Sequence, residues 1–278
     1  MNRRRFLAGL GTGTAVGIAG CSGDEGSVGP LNGGPDRPFA DADWRDGDGL
    51  ALGTLAEAHT GAFVDAGGFT LFSTAETSHD GGAEPAPWLP SQTYESGYDI
   101  ANGRQYVRQE ITETSEADVT ELYVADGELL FRRRADGETQ YDRQSADRSA
   151  ADLEDSMRQE ALTGIRVEGE TETGETRYEG LNRWNPTSDG EGQVRGERTA
   201  RFTADAFDGD RNIPETVETA SATAYVYEAG VVPRLEQSWA GEHDGRGATV
   251  DVDIDYRDPG AEIPEPDWAA DAREATSE

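Results

Sequence analysis

The stretch Tyr94-Glu95-Ser96-Gly97-Tyr98-Asp99-Ile100-Ala101-Asn102-Gly103-Arg104-Gln105-Tyr106-Val107-Arg108-Gln109-Glu110-Ile111-Thr112 decides the fold. Asn-Gly is the strongest short hairpin signal, because both residues tolerate the left-handed backbone of a tight two-residue turn. After the turn, Tyr106, Arg108 and Glu110 alternate with Val107, Gln109 and Ile111. Period two is the pattern of a strand with two distinct faces. The signal then repeats. Val119 to Ala125 and Glu128 to Arg134 flank Asp126-Gly127, and Asp136-Gly137 leads into Thr139 to Arg143. Successive strands joined by such turns form an antiparallel meander.

Working upstream, Phe69, Leu71, Ser73 and Ala75 alternate with Thr70, Phe72, Thr74 and Glu76, which predicts another strand. Before it, Leu52, Leu55, Ala56, His59 and Phe63 fall on one face of a helix, with Asp48 or Thr54 to cap it and Gly67-Gly68 to end it. His59 reads as a packing residue of that face rather than a ligand. Downstream, Leu153, Met157, Ala161 and Leu162 predict a second helix, closed by Gly164. Strands are then expected at Ile165 to Thr171, Thr176 to Trp184, Glu218 to Glu228, Val231 to Ala240 and Ala248 to Tyr256. Thr199 to Ala206 is a weaker strand or a short helix, and Asn185 to Gly196 a polar loop. A sheet with one polar face needs its other face covered. The expectation is one α+β domain: a strongly curved antiparallel sheet of about ten strands, an unclosed half-barrel, covered by two or so helices.

The N-terminus carries a different message. Arg3, Arg4, Phe6 and Leu7 follow the order of a twin-arginine export signal, and a weakly apolar run leads to Ile18-Ala19-Gly20-Cys21, a lipobox. The apolar run is about half the roughly 20 residues a membrane span needs. The expected organisation is a signal peptide over 1–20, a flexible Gly/Pro/Asp tether over 21–48, the α+β domain over 49–268 and a frayed acidic tail over 269–278. Phe39 and Trp44 are the tether residues able to dock back on the domain. Cys21 becomes the lipid-bearing N-terminus after cleavage, placing the chain on the extracellular face of the cell membrane.

Charge limits the partners. All 24 basic residues are arginine, against 56 acids, for a formal charge of −32; losing Arg3, Arg4 and Arg5 with the signal takes it to −35. Such a chain repels nucleic acid and anionic headgroups. Its compact state is self-repelled at low salt and relieved at molar salt, where the screening length falls to about 3 Å. A strongly acidic chain without lysine resembles proteins of extreme halophiles. Cys21 is the only cysteine, so no intramolecular disulfide forms.

The lipobox Ile18 to Cys21, the segment Ala56-Glu57-Ala58-His59 through Ala66-Gly67-Gly68-Phe69-Thr70, and the ending Ile263 to Trp268 carry a resemblance to an uncharacterised family of haloarchaeal lipoproteins. The order of elements resembles the LolA/LppX/LprG-like lipoprotein-carrier fold. That resemblance implies an unclosed barrel with helices on its concave side and a cavity for lipid acyl chains. Tyr106, Tyr123, Phe131, Tyr178, Tyr225 and Trp239 are the aromatics expected to line such a cavity. Alternatively they pack against the helices, and the domain docks a protein partner instead.

No catalytic set is expected. Acid pairs occur throughout without one standing out, no serine lies in Gly-x-Ser-x-Gly, and no phosphate-binding loop is present. No cofactor or metal is expected: His59, His79 and His243 are isolated. Asp251-Val252-Asp253-Ile254-Asp255-Tyr256 with Glu262 echoes a calcium loop, but Tyr256 stands where that loop needs glycine, and period two explains the acids as the wet face of a strand. Arg132-Arg133-Arg134 reads as a solvated run paired with nearby acids.

Overall fold

The computed structural model describes residues 37–80, 91–112, 118–165, 180–209 and 214–277. Its elements are β1 (Arg45–Asp46), β2 (Gly49–Leu50), α1 (Leu52–Ala66), β3 (Gly68–His79), β4 (Gln92–Asp99), β5 (Arg104–Ile111), β6 (Asp118–Ala125), β7 (Glu128–Ala135) and β8 (Glu138–Ser145). There follow α2 (Ala150–Ala161), a single 3-10 turn at Leu181–Arg183, β9 (Thr187–Val194), β10 (Glu197–Ala204), β11 (Thr216–Val226), β12 (Arg234–His243), β13 (Arg246–Arg257) and α3 (Ala269–Ala275).

The turn residues set the ladder. Asp126-Gly127, Asp136-Gly137 and Asp244-Gly245 all have positive φ, the backbone that a two-residue hairpin turn requires. β3 to β8 run outward as one meander, and β9 to β13 run back as a second. The first and last of these strands, β3 and β13, pair antiparallel from Ala248↔His79 to Arg257↔Thr70. The result is one eleven-stranded antiparallel sheet in the order β8-β7-β6-β5-β4-β3-β13-β12-β11-β10-β9, open at β8 and β9. The α+β class and the unclosed sheet are as expected.

α1 and α2 cover one face, here called the front. α1 buries Leu55, Ala56, His59, Thr60 and Phe63. Phe63 stacks on Phe69 at 4.4 Å, and Phe69 on Tyr98 at 5.8 Å. The core continues through Leu71, Leu235, Trp239, Val250, Val252, Ile254 and Tyr256. On β13 the three aspartates 251, 253 and 255 point to the back while Val252, Ile254 and Tyr256 are buried, so the run is a strand. Asp255 pairs with Arg195 and Arg257, and Asp253 with Arg234. The start of α1 is not capped by a side chain; Ala51 holds that position. α2 carries a full capping box between Ser149 and Asp152.

His59 is fully buried. Its Nδ1 accepts the Val232 N–H at 3.0 Å, and its ring stands edge-on to Phe63 and Tyr256. Desolvation pulls its pKa down to about 3 against an opposing hydrogen bond to the Ala161 backbone, so it packs as a neutral ring.

Several boundaries differ from the sequence expectation. Residues 37–48 belong to the compact unit, which begins at Arg37. Trp44 is 3 % exposed and donates Nε1–H to the Glu228 carbonyl at 3.0 Å. The supposed tail is α3, with Ala269 and Ala272 fully buried. Small side chains let its backbone sit close to the sheet, and tail composition hid that. The expected loop 185–196 contains β9. As an edge strand whose only buried residue is Val194, β9 needs no apolar alternation. Trp184 follows the 3-10 turn and packs against Trp239 at 5.1 Å rather than lying in a strand. The rest of the strands expected at 165–171 and 176–184 falls outside the described residues. No helix among the described residues is long and apolar enough to cross a membrane.

Candidate functional site

The buried face changes sides within the sheet. In β3, β13, β12, β11 and β10 the front residues are in the core. In β6 the buried residues are Val119, Glu121, Tyr123 and Ala125 on the back, and Val124 alone on the front. There α3 and the segment before it cover the sheet: Tyr123, Ala125 and Leu130 pack with Ile263, Trp268, Ala269 and Ala272. Glu121 anchors that cover. Its Oε1 accepts Tyr106 O–H at 2.9 Å and Trp268 Nε1–H at 3.1 Å, its Oε2 accepts Arg132 Nε–H at 2.6 Å, and the Arg132 guanidinium lies 5.2 Å from the Trp268 ring. β4 is the hinge between the two regimes and is buried on both sides. Tyr98 faces front, while Gly97 faces back and leaves room for Ile263, whose Cδ1 would lie 2.5 Å from any Cβ there.

One consequence is a set of front-face apolar residues in β5, β6 and β7 that joins neither buried cluster. Val107, Leu122 and Phe131 stand side by side in register, with Val124 and Leu129 as the adjacent row. Val107, Leu122, Leu129 and Phe131 are half-buried. Polar residues frame it. Gln109, Thr120 and Arg133 form the next row, with Arg133 donating Nη2–H to Asp118 Oδ2 at 2.6 Å. Asp142 and Gln144 face Phe131 and Leu129 from β8.

A hydrogen-bonded seam separates the patch from the core. Gln105 donates to Tyr98 Oη at 3.0 Å and accepts from Arg148 at 2.8 Å; Gln109 donates to Gln92 at 2.8 Å. Ser96 Oγ donates to Glu160 Oε1 at 3.2 Å, and Tyr94 also bonds this carboxyl. Glu160 is half-buried as a residue, but its carboxyl is enclosed. That burial raises its pKa against the two hydrogen bonds. An apolar centre with a satisfied polar rim suits a ligand with an apolar body and a hydrogen-bonding end. Patch and rim hold no histidine or cysteine.

The aromatics proposed from sequence do not form one lining, because period two sends neighbouring positions to opposite faces. Tyr106 and Tyr123 are directly paired, but on the back under α3. Tyr225 is on the back of β11, paired with Arg201 and Arg234. Trp239 is on the front and fully buried in the core of the other half. Phe131 alone lies in the patch. Val107, Leu122 and Leu129 were missed as patch residues. The signal for them was that β6 is apolar in both phases, with Leu122 and Val124 out of step with Val119 and Tyr123. Tyr178, Cys21, Arg3, Arg4, Phe6, Leu7, Ile18, Ala19 and Gly20 lie outside the described residues.

Two cavities lie elsewhere. One of about 410 Å³ is a polar groove on the back, lined by Thr74, Ser221, Glu76, Glu236, Asp251 and Asp253 among others. One of about 250 Å³ lies by Trp184 and Phe207. Neither borders the apolar patch.

No protein-family model matches the chain, and no curated protein matches it. Solved structures similar to it include the Mycobacterium tuberculosis lipoprotein LppX, at 13% identity and TM-score 0.36, covering 76% of this chain and 98% of that one. A LolA superfamily protein from Nitrosomonas europaea matches at 11% identity and TM-score 0.23, covering 77% and 96%. A putative outer membrane lipoprotein-sorting protein domain from Vibrio parahaemolyticus matches at 8% and 0.27, covering 80% and 97%. These are distant likenesses of fold.

Proposed function

We propose that the chain is an exported, non-enzymatic lipoprotein, held at the extracellular face of the cell membrane by lipid on Cys21, that seats a hydrophobic, lipid-like ligand on the front of β5 to β7. The observation behind the seat is the in-register row Val107–Leu122–Phe131 with Leu129 beside it, half-buried and outside both core clusters. A half-buried apolar row outside the core, with a polar rim, suits a contact surface. The lipobox supports the anchor. The strong negative charge favours a ligand without an anionic headgroup.

The test is lipid mass spectrometry on the mature protein purified at high salt from its own type of host. A stoichiometric, reproducible lipid or quinone in the organic extract is the expected result. A blank, repeated after incubation with host lipids, overturns the ligand reading and makes the patch a surface for a protein partner.

A further inference from the structure

The second meander carries a chemistry that the hydrophobic patch does not use. At the far end of β12, the hairpin to β13 sets His243 and Asp244 beside Glu215, with one donor atom from each residue within 4.8 Å of the others. His243 is 7 % exposed, whereas Asp244 and Glu215 are open to solvent. One side chain is therefore fixed at the base and two reach up from the rim.

The scaffold holds all three in place. Glu215 immediately precedes β11, whose first residue, Thr216, pairs with Glu242. Glu242 N–H donates to Thr216 Oγ1 at 3.2 Å. β11 bulges between Val217 and Thr219, and Gly241 permits it: a Cβ there would stand 1.8 Å from the Thr216 carbonyl oxygen. A bulge re-aims the strand end next to it. Asp244 takes φ +50° as the first residue of the hairpin turn. These constraints join residues far apart in sequence, which is why His243 looks isolated when the chain is read alone.

We propose that Glu215, His243 and Asp244 bind a first-row divalent transition ion, such as Zn(II), Co(II) or Mn(II). His243 Nε2 and Asp244 Oδ2 are 4.0 Å apart. Two ligands each about 2.1 Å from one ion stand about 3 to 4 Å apart, so this pair needs little movement and Glu215 a small rotamer shift. Two carboxylates balance the charge of the ion. The imidazole selects against magnesium and calcium, which prefer all-oxygen shells. The open rim leaves positions for water. Arg246, opposite His243 in the ladder, adds a positive charge that opposes the ion. The proposal is independent of the hydrophobic ligand.

The test titrates Co(II) into the EDTA-stripped full chain in high salt, with millimolar Mg(II) to occupy diffuse acids. One saturating equivalent with visible d–d absorption is expected. His243→Ala should weaken binding at least about 30-fold and Glu215→Gln about 10-fold, while Arg246→Gln tightens it about 3-fold. Glu215 is exposed, so its variant stays folded and decides the matter if His243→Ala unfolds. Non-saturating uptake, or Glu215→Gln binding like the parent chain, overturns the site and leaves counterion attraction to an acidic surface.

Discussion

Strands of one sheet obey the same period-two rule yet bury opposite faces. In β10 to β13, front residues such as Phe202, Ala224, Trp239 and Ile254 are sealed in the core, Phe202 against Trp44 and Trp239 against Trp184 and Phe207, and the back carries Thr, Ser, Asp and Arg. In β6 and β7 most of the buried residues are on the back, under Trp268 and α3, while the front keeps Leu122, Leu129 and Phe131 half-buried around a buried Val124. Alternation says only that a strand has two faces; what packs on each decides which is core. One part of the sheet thus has its front apolar residues enclosed in the core, and the other has front-side apolar surface outside both buried clusters.

The sharpest way to break this comparison is to truncate a large side chain in each half. Trp239→Ala, at a fully buried position packed against Trp184 and Phe207, should cost about 3 to 5 kcal/mol in denaturant unfolding at high salt. A cost under about 1 kcal/mol would mean that the front core is loosely packed.

Acid should find the same half. Folded His59 titrates at about 3, well below its usual 6.5. The folded pKa is depressed, so the stabilising effect is complete above about 6.5 and is lost as pH falls toward 3. That amounts to about 3 kcal/mol between pH 7 and pH 4. His59→Gln should flatten this part of the stability–pH curve relative to the parent. Parallel curves would show that the imidazole titrates alike in the folded and unfolded chain, so that burial does not depress it.

In the other half, Trp268→Ala removes a buried ring and leaves the Glu121 carboxylate short of a donor, at a cost of about 2 to 3 kcal/mol. If unfolding is unchanged, α3 is not a structural cover. Phe131→Ser, on the front row, should change stability by less than about 1 kcal/mol, because the side chain is half-exposed.

The sequence made the meanders legible because their turns are local: Asn102-Gly103, Asp126-Gly127 and Asp136-Gly137 each announce a hairpin without tertiary help. α1 and α2 were legible from their apolar stripes. The pairing of β3 with β13 was not, since it joins the first and last long strands of the sheet. β9 was missed because an edge strand with one buried residue shows no alternation. α3 was missed because Ala269 and Ala272 look like tail residues until a sheet is placed beside them. The site was least legible of all. Choosing large aromatics favoured residues that the fold buries, such as Tyr123 and Trp239, over Val107, Leu122 and Leu129, whose interest lies in being left half-open.

The most direct measurement compares lipid bound by the parent chain with that bound by Leu122→Ser/Phe131→Ser, both extracted after purification at high salt and quantified by mass spectrometry per mole of protein. The account predicts a stoichiometric lipid in the parent and at least about a tenfold loss in the variant, with an unfolding midpoint close to the parent's, since two half-exposed apolar contacts contribute to binding rather than to the core. Equal lipid in both proteins, or none in either, would contradict the claim that this row is the seat of a hydrophobic ligand.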